Sequence, residues 1–159
     1  MRRLFFGLAL LVCSVFGFAA QGNAACLAPA NINDLATQIA AGLNANRESN
    51  ALARLTFNSE LSQAAMSHAC DMSANNYVDH RGTDGSNSQD RVRQKGYHDC
   101  LVAENLAWGY PDPAQIVQGW MTSPHHRSNM LLANARDFGV GIVDSARGPI
   151  WVLVLARSC

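Results

Sequence analysis

The sequence predicts an α+β domain in which helices flank a small, mainly antiparallel sheet. Two observations from the residues carry this. Apolar residues recur at helical spacing in the first half of the chain, as in Ile32, Leu35, Ile39 and Leu43. The last two apolar runs, "DFGVGIVD" and "PIWVLVLA", are separated by the turn-forming "SARG" and read as an antiparallel hairpin. The full order is helix, helix, short helix, strand, helix, strand, strand, and helices packed over the sheet are the simplest way to cover it.

Each element has its own signal. The first helix shows about three turns of this stripe, from Ile32 to Leu43, and ends near Asn50. Asn58 or Ser59 caps the second, whose stripe Leu61, Ala65, His68 and Met72 shares one face. Cys70 lies nearly opposite that stripe, which suits a bond to a segment lying over the helix. A polar loop rich in Gly, Asp and Ser follows from Asn75 to Asn87 and carries His80. Ser86 and Gln89 have capping-box spacing for a short helix that Gly96 ends. "CLVAENLAW" reads as a buried strand with one charge, Glu104. Asp112-Pro113 starts the next helix, with Ile116, Val117 and Trp120 as its apolar face. Ser123-Pro124 stops that helix and starts another turn. There is no internal repeat and no low-complexity segment.

The ends and the composition bound the function. Arg2 and Arg3 precede an apolar run from Leu4 to Ala20, and small residues follow in "QGNAAC". That is the layout of a secretory signal peptide cleaved after Ala24, leaving one domain over residues 25–159. The run is short for a bilayer span and no second one follows, so no integral membrane segment is expected after cleavage. A lipid anchor on Cys26 is disfavoured by Asn23. Without Arg2 and Arg3, ten basic residues face twelve acidic ones, which is no footprint for nucleic acid. Cys26, Cys70, Cys100 and Cys159 remain, an even number in an exported chain, and read as two disulfides. A zinc site on the cysteines is discounted because no two stand as C-x-x-C. Four cysteines allow three pairings. Because chain termini often lie close together, Cys26–Cys159 with Cys70–Cys100 is the expected one.

Several side chains are candidates for chemistry. Glu104 inside an apolar strand is costly to bury unless something pairs with it. The partner is either a structural donor fixing a loop to the sheet or part of a site. His80 sits on a loop of the kind where binding residues concentrate. His125 and His126 differ by about 100° on a helical turn, so at most one faces a given target. His68 reads as a core histidine, and Arg127 and Asn129 as groups satisfying carbonyls around the Ser-Pro turn. Trp120 and Trp151 read as core, whereas Trp108 beside Gly109 is placed to line a groove.

The segments "LNANRESNALARLTFNSELSQAAMSHACDM", "YVDHRGTDGS", "RVRQKGY", "AENLAWG", "WMTSPHHRSNML" and "FGVGIV", with the terminal "WVLVLA", stand in a familiar order. Together the chain resembles the CAP superfamily of cysteine-rich secretory, antigen-five and pathogenesis-related proteins, or SCP-like extracellular domains, in its compact bacterial branch. The resemblance implies a three-layer α–β–α sandwich with a cleft. It assigns His80, Glu104 and His126 to that cleft, with Ser123 and His125 beside them. Ala103 replaces the glycine usual before the glutamate, and His125 stands where bacterial relatives often have glycine. Ser123 occupies the nearest place to a second glutamate found in larger members. Some members bind a divalent metal, so zinc on His80 and His126, with Glu104 as a further ligand, is the candidate cofactor.

Two functions follow from the resemblance. One is a non-enzymatic secreted or periplasmic monomer that binds a small ligand (lipid, sterol, glycan or peptide) or a partner in the cleft. The other is a hydrolase of peptide or cell-wall bonds, with Glu104, His80 and His126 as the candidate catalytic groups. The absence of a recognisable nucleophile, with no G-x-S-x-G serine and no free cysteine expected, favours the binder.

Overall fold

The computed structural model describes residues 26–159, so the segment read as a signal peptide lies outside the described residues. Among the described residues no helix is long and apolar enough to cross a membrane. Helix α1 (Ile32–Ser49) buries Ile39 and Leu43. Helix α2 (Ser59–Asn75) is capped by Asn58, whose side-chain oxygen accepts from the Leu61 amide at 2.9 Å. All four residues of its expected stripe are buried. Helix α3 (Ser88–Gln94) is capped by Asn87 with Asp90 closing the box, one residue later than the Ser86/Gln89 spacing suggested. Ser86 does not serve as the cap because it is buried, and its carbonyl oxygen accepts from Arg91 Nη1 at 3.0 Å. Helix α4 (Pro113–Thr122) starts as expected, with Asp112 accepting from the Ala114 amide at 2.9 Å. Helix α5 (Pro124–Met130) follows at once after Ser123.

Four strands form one sheet, β1 (Thr56–Phe57), β2 (Asp99–Trp108), β3 (Asp137–Val143) and β4 (Ile150–Ser158), in the order β1-β3-β4-β2. The β3–β4 and β2–β4 pairs are antiparallel, and only β1 lies parallel, to β3. Two residues carry no periodicity, so β1 left no trace in the sequence pattern.

The central strand β4 shows why three layers form. Trp151, Leu153 and Leu155 point to one face and pack with α1, α4 and α5. Ile150, Val152, Val154 and Ala156 point to the other and pack with α2 and Tyr97. Both parities are apolar and both are buried, so the sheet needs a helical cover on each side. The α2 side is tight. A Cβ on Gly139 or Gly141 would meet α2 backbone at 2.2 Å or 2.4 Å, so glycine lets the helix lie directly on β3.

The disulfides differ from the expected pairing. They join Cys26 to Cys70 and Cys100 to Cys159. The reason is that the two ends of the described chain lie at opposite ends of the sheet. The Leu27 carbonyl accepts from Asp144 just beyond the C-terminal end of β3, and Ser73 of α2 donates to the Asp144 carbonyl. Cys26 is therefore over α2, where Cys70 faces outward. Strand β4 runs antiparallel to β2, so its last residues meet the start of β2, and the Cys159 amide donates to the His98 carbonyl.

Strand β2 forms one edge of the sheet, and its outer side is not left open. The Glu104 carbonyl accepts from Asn129 Nδ2 at 3.1 Å, and the Leu106 carbonyl from Trp120 Nε1 at 3.1 Å. Side chains of α4 and α5 thus occupy acceptors that an added strand would need. The same bonds fix α5, and His126 with it, against β2.

Candidate ligand-binding cleft

Glu104 lies on the α2 side of β2, the side that also takes Leu106. Its side chain is 3% exposed. The cost of that burial is offset by two partners. Arg91 Nη2 from α3 donates to Oε2 at 2.8 Å, and His80 Nδ1 from the loop after α2 meets Oε1 at 2.8 Å. Arg91 is itself buried and goes further, since the same Nη2 donates to the His80 carbonyl at 3.1 Å. One guanidinium therefore holds the carboxylate and the backbone of the histidine that pairs with it.

The next carbonyl along that loop is also fixed. His68 of α2 places Nε2 at 2.8 Å from the Asp79 carbonyl oxygen, which makes Nε2 the protonated nitrogen. His68 is the core histidine the sequence suggested, and it holds the peptide just before His80. The loop's far side is pinned by Asp71, which accepts from Thr83 N at 2.8 Å and from the Tyr77 hydroxyl. A loop that looked merely polar in sequence is thus tied down along its length.

His126 arrives from the other helical layer. Its carbonyl accepts from Asn105 Nδ2 at 3.0 Å, and Asn105 is completely buried beside Glu104 in the chain. Asn129 donates to both the Glu104 carbonyl and Asn105 Oδ1, so the "EN" pair and α5 form one bonded unit. Asn129, expected to satisfy carbonyls around the Ser-Pro turn, reaches across to β2 instead, because α5 docks on that edge strand. Burial, then the charge of His80 and that of His125, hold the His126 imidazole below its ordinary pKa. His80 moves the other way. Its hydrogen bond to Glu104 raises its pKa against the opposing effect of burial.

A trough of about 780 Å³ opens between the end of β2 and α4; of the groups above it takes His126 into its lining, and His80 and Glu104 stand outside it. Ser123 and His126 belong to its lining, as do Trp108 and Tyr110. Ser123 makes no side-chain cap bond to α5, which leaves its hydroxyl to the trough. His125, one residue from His126, is exposed and absent from the lining, as the 100° step between neighbours requires.

The donor set for a metal is narrower than the resemblance implied. Both Glu104 oxygens are engaged by His80 and Arg91. Among the described residues no group of three or more His, Cys, Asp or Glu side chains is placed to hold a metal ion. The described residues therefore do not assemble the three protein ligands of a catalytic zinc site.

Sequence reasoning missed Arg91 and Asn105. The signal for Arg91 was indirect, since a buried Glu104 demands a cation and the short helix "SQDRVRQ" supplies one.

Comparison with known proteins agrees with this architecture. The chain is 32% identical over 133 residues to the uncharacterized protein YkwD of Bacillus subtilis, covering 84% of this chain and 51% of that protein. The chain thus spans about half the length of that relative. Its structure superposes with a TM-score of 0.73 on an extracellular protein containing a SCP domain from Bacillus anthracis, at 27% identity, covering 79% of this chain and 41% of that one. It shares its fold with an outer surface protein of Borrelia burgdorferi, at TM-score 0.72, 18% identity and coverage of 77% and 92%. The family description "CAP: Cysteine-rich secretory protein family" matches residues 41–155. With that match over most of the chain, on a three-layer sandwich whose β2 edge strand carries the glutamate of the His80–Glu104 pair, the chain belongs to the CAP family of cysteine-rich secretory proteins.

Proposed function

We propose that this chain is an exported, non-enzymatic binding module that takes a small ligand in the trough lined by His126 and Ser123, with the His80–Glu104 pair bracing the strand that forms its wall. The disulfides and the extracellular relative support export. The observation that carries the reading is that Glu104 is buried and engaged through both oxygens, while an open trough lies along the end of the same strand at Leu106, Ala107 and Trp108. A carboxylate held in this way stiffens the cleft wall and is poorly placed to take a proton from a substrate. A divalent metal, if recruited, would use His80 Nε2 and His126, and Glu104 would orient His80 from behind.

The test is a chemical-shift screen of the oxidised protein with a fatty acid, a sterol, an oligosaccharide and a short peptide, alongside casein and peptidoglycan turnover assays. The reading expects at least one ligand to perturb His126 and Ser123, with no turnover. Turnover that disappears in a folded Glu104→Ala variant would replace it with the hydrolytic reading.

A further inference from the structure

We propose that the trough between β2 and α4 binds a neutral oligosaccharide, with Trp108 and Tyr110 as its stacking platform. This rests on the ligand-binding reading above and names the ligand class. Trp108 and Tyr110 are 51% and 60% exposed, two of the four large apolar side chains so exposed among the described residues, and both line this trough. Their exposure is built in. The Gly109 amide between them donates to the Pro149 carbonyl at 3.0 Å, and Trp151 Nε1 donates to the Tyr110 carbonyl at 2.9 Å. Gly148, at φ 94°, packs against this turn so closely that a Cβ would lie 2.8 Å from Gly109 Cα. The backbone that carries the two exposed aromatics is therefore fixed.

The remaining lining selects the ligand. It contains no Asp, Glu, Lys or Arg. Across from the aromatics, α4 contributes the amides of Gln115 and Gln118 and the hydroxyl of Thr122. A sugar ring presents apolar C–H faces that stack on aromatic rings and hydroxyls that pair with amides and alcohols. Anionic lipids, nucleotides and acidic glycans find no cation here, so an uncharged trough complements an uncharged ligand. A sterol or acyl chain would leave one flank wet in an open trough and forfeit much of its burial. A peptide adding to the edge of β2 meets carbonyls already taken by Asn129 and Trp120.

The experiment titrates the oxidised chain with the tetramer of N-acetylglucosamine and with cellotetraose, read by tryptophan fluorescence and by ¹H–¹⁵N spectra. Palmitate and cholesterol-containing phosphatidylcholine vesicles form the competing arms. The expected result is saturable binding of at least one tetrasaccharide that shifts the Trp108 indole. It weakens about tenfold in Trp108→Ala and in Tyr110→Ala, and is largely kept in Trp108→Phe. Absence of saturable oligosaccharide binding overturns the proposal, as does equal affinity in the alanine variants. Palmitate or vesicles perturbing His126 while the sugars do not would leave the binding module standing and remove the saccharide. Silence of the trough toward every probe would remove the saccharide, and silence toward the short peptide as well would remove the binding module with it.

Discussion

Arg91 donates to Glu104 Oε2 at 2.8 Å with both side chains almost completely buried. A buried pair of this kind contributes little relative to an apolar replacement of both groups, but removal of one partner strands the other charge. Arg91→Met is expected to destabilise the domain by about 3–5 kcal/mol. The double variant Arg91→Met/Glu104→Leu should recover part of that loss. Urea denaturation of the two variants checks this; a single variant as stable as the parent would show that water reaches Glu104.

The cleft histidines predict a stability profile with two separable limbs. His80 faces Glu104, Asp79 and Arg91, and its hydrogen bond to Glu104 raises its folded pKa. Its contribution is fully present below the unfolded value near 6.5 and is lost as pH rises through the folded value. Burial lowers His68 and His126, so their neutral forms suit the fold, and stability falls as pH drops below about 6.5 through their folded values. His80→Ala should flatten the alkaline limb and His126→Ala part of the acid limb, as read by thermal melts between about pH 5 and 8. Glu104→Gln should lower the His80 pKa in an NMR titration, and an unchanged value would mean that the 2.8 Å contact is not populated in solution.

What the sequence made legible follows from where each signal resides. The stripe on α2, the Asn58 and Asp112 caps and the terminal hairpin are local patterns, and they stand where they were expected. The isolated charge of Glu104 announced that a partner was needed but not which one. Arg91 lies thirteen residues away on a short polar helix whose burial depends on a loop and a strand packing around it. The disulfide partners depend on which end of the sheet each terminus reaches. Cys70 facing away from its stripe was readable; that Cys26 rather than Cys100 lies over it was not. The docking of α5, and of His126 with it, onto β2 is a tertiary fact, made by the Asn105–Asn129 bonding that no local pattern displays.

The observed pairing makes a direct chemical prediction. Proteolysis without reductant should release one linked peptide containing Cys26 and Cys70 and another containing Cys100 and Cys159. The sequence separations are 44 and 59 residues, and the chain-entropy cost grows only logarithmically with loop length. Removing either bridge by a Cys→Ser pair should therefore cost a similar amount, about 4 kcal/mol in that picture. Losses that differ severalfold between the two bridges would show that native packing, rather than loop closure, sets their value.

Gly139 and Gly141 of β3 predict where the α2 layer tolerates no added atom. A Cβ on Gly139 would come within 2.2 Å of the Ser62 amide nitrogen, and one on Gly141 within 2.4 Å of α2 backbone at Ala65 and Met66. Backbone cannot swing away as a side-chain tip does, so accommodation requires the helix to lift from the sheet. Ser62 Oγ, which both donates to the Val140 carbonyl at 2.8 Å and accepts from the Val140 amide at 2.9 Å, would be pulled off its partners. Gly139→Ala and Gly141→Ala are each expected to cost about 1–3 kcal/mol or more, the usual range for overpacking. Because α2 carries His68 and ends before the His80 loop, the lift should also disturb the His80–Glu104 contact. Denaturation midpoints together with the His80 NMR signal test both parts, and full stability with an unmoved His80 would mean that α2 does not rest on β3 through these glycines.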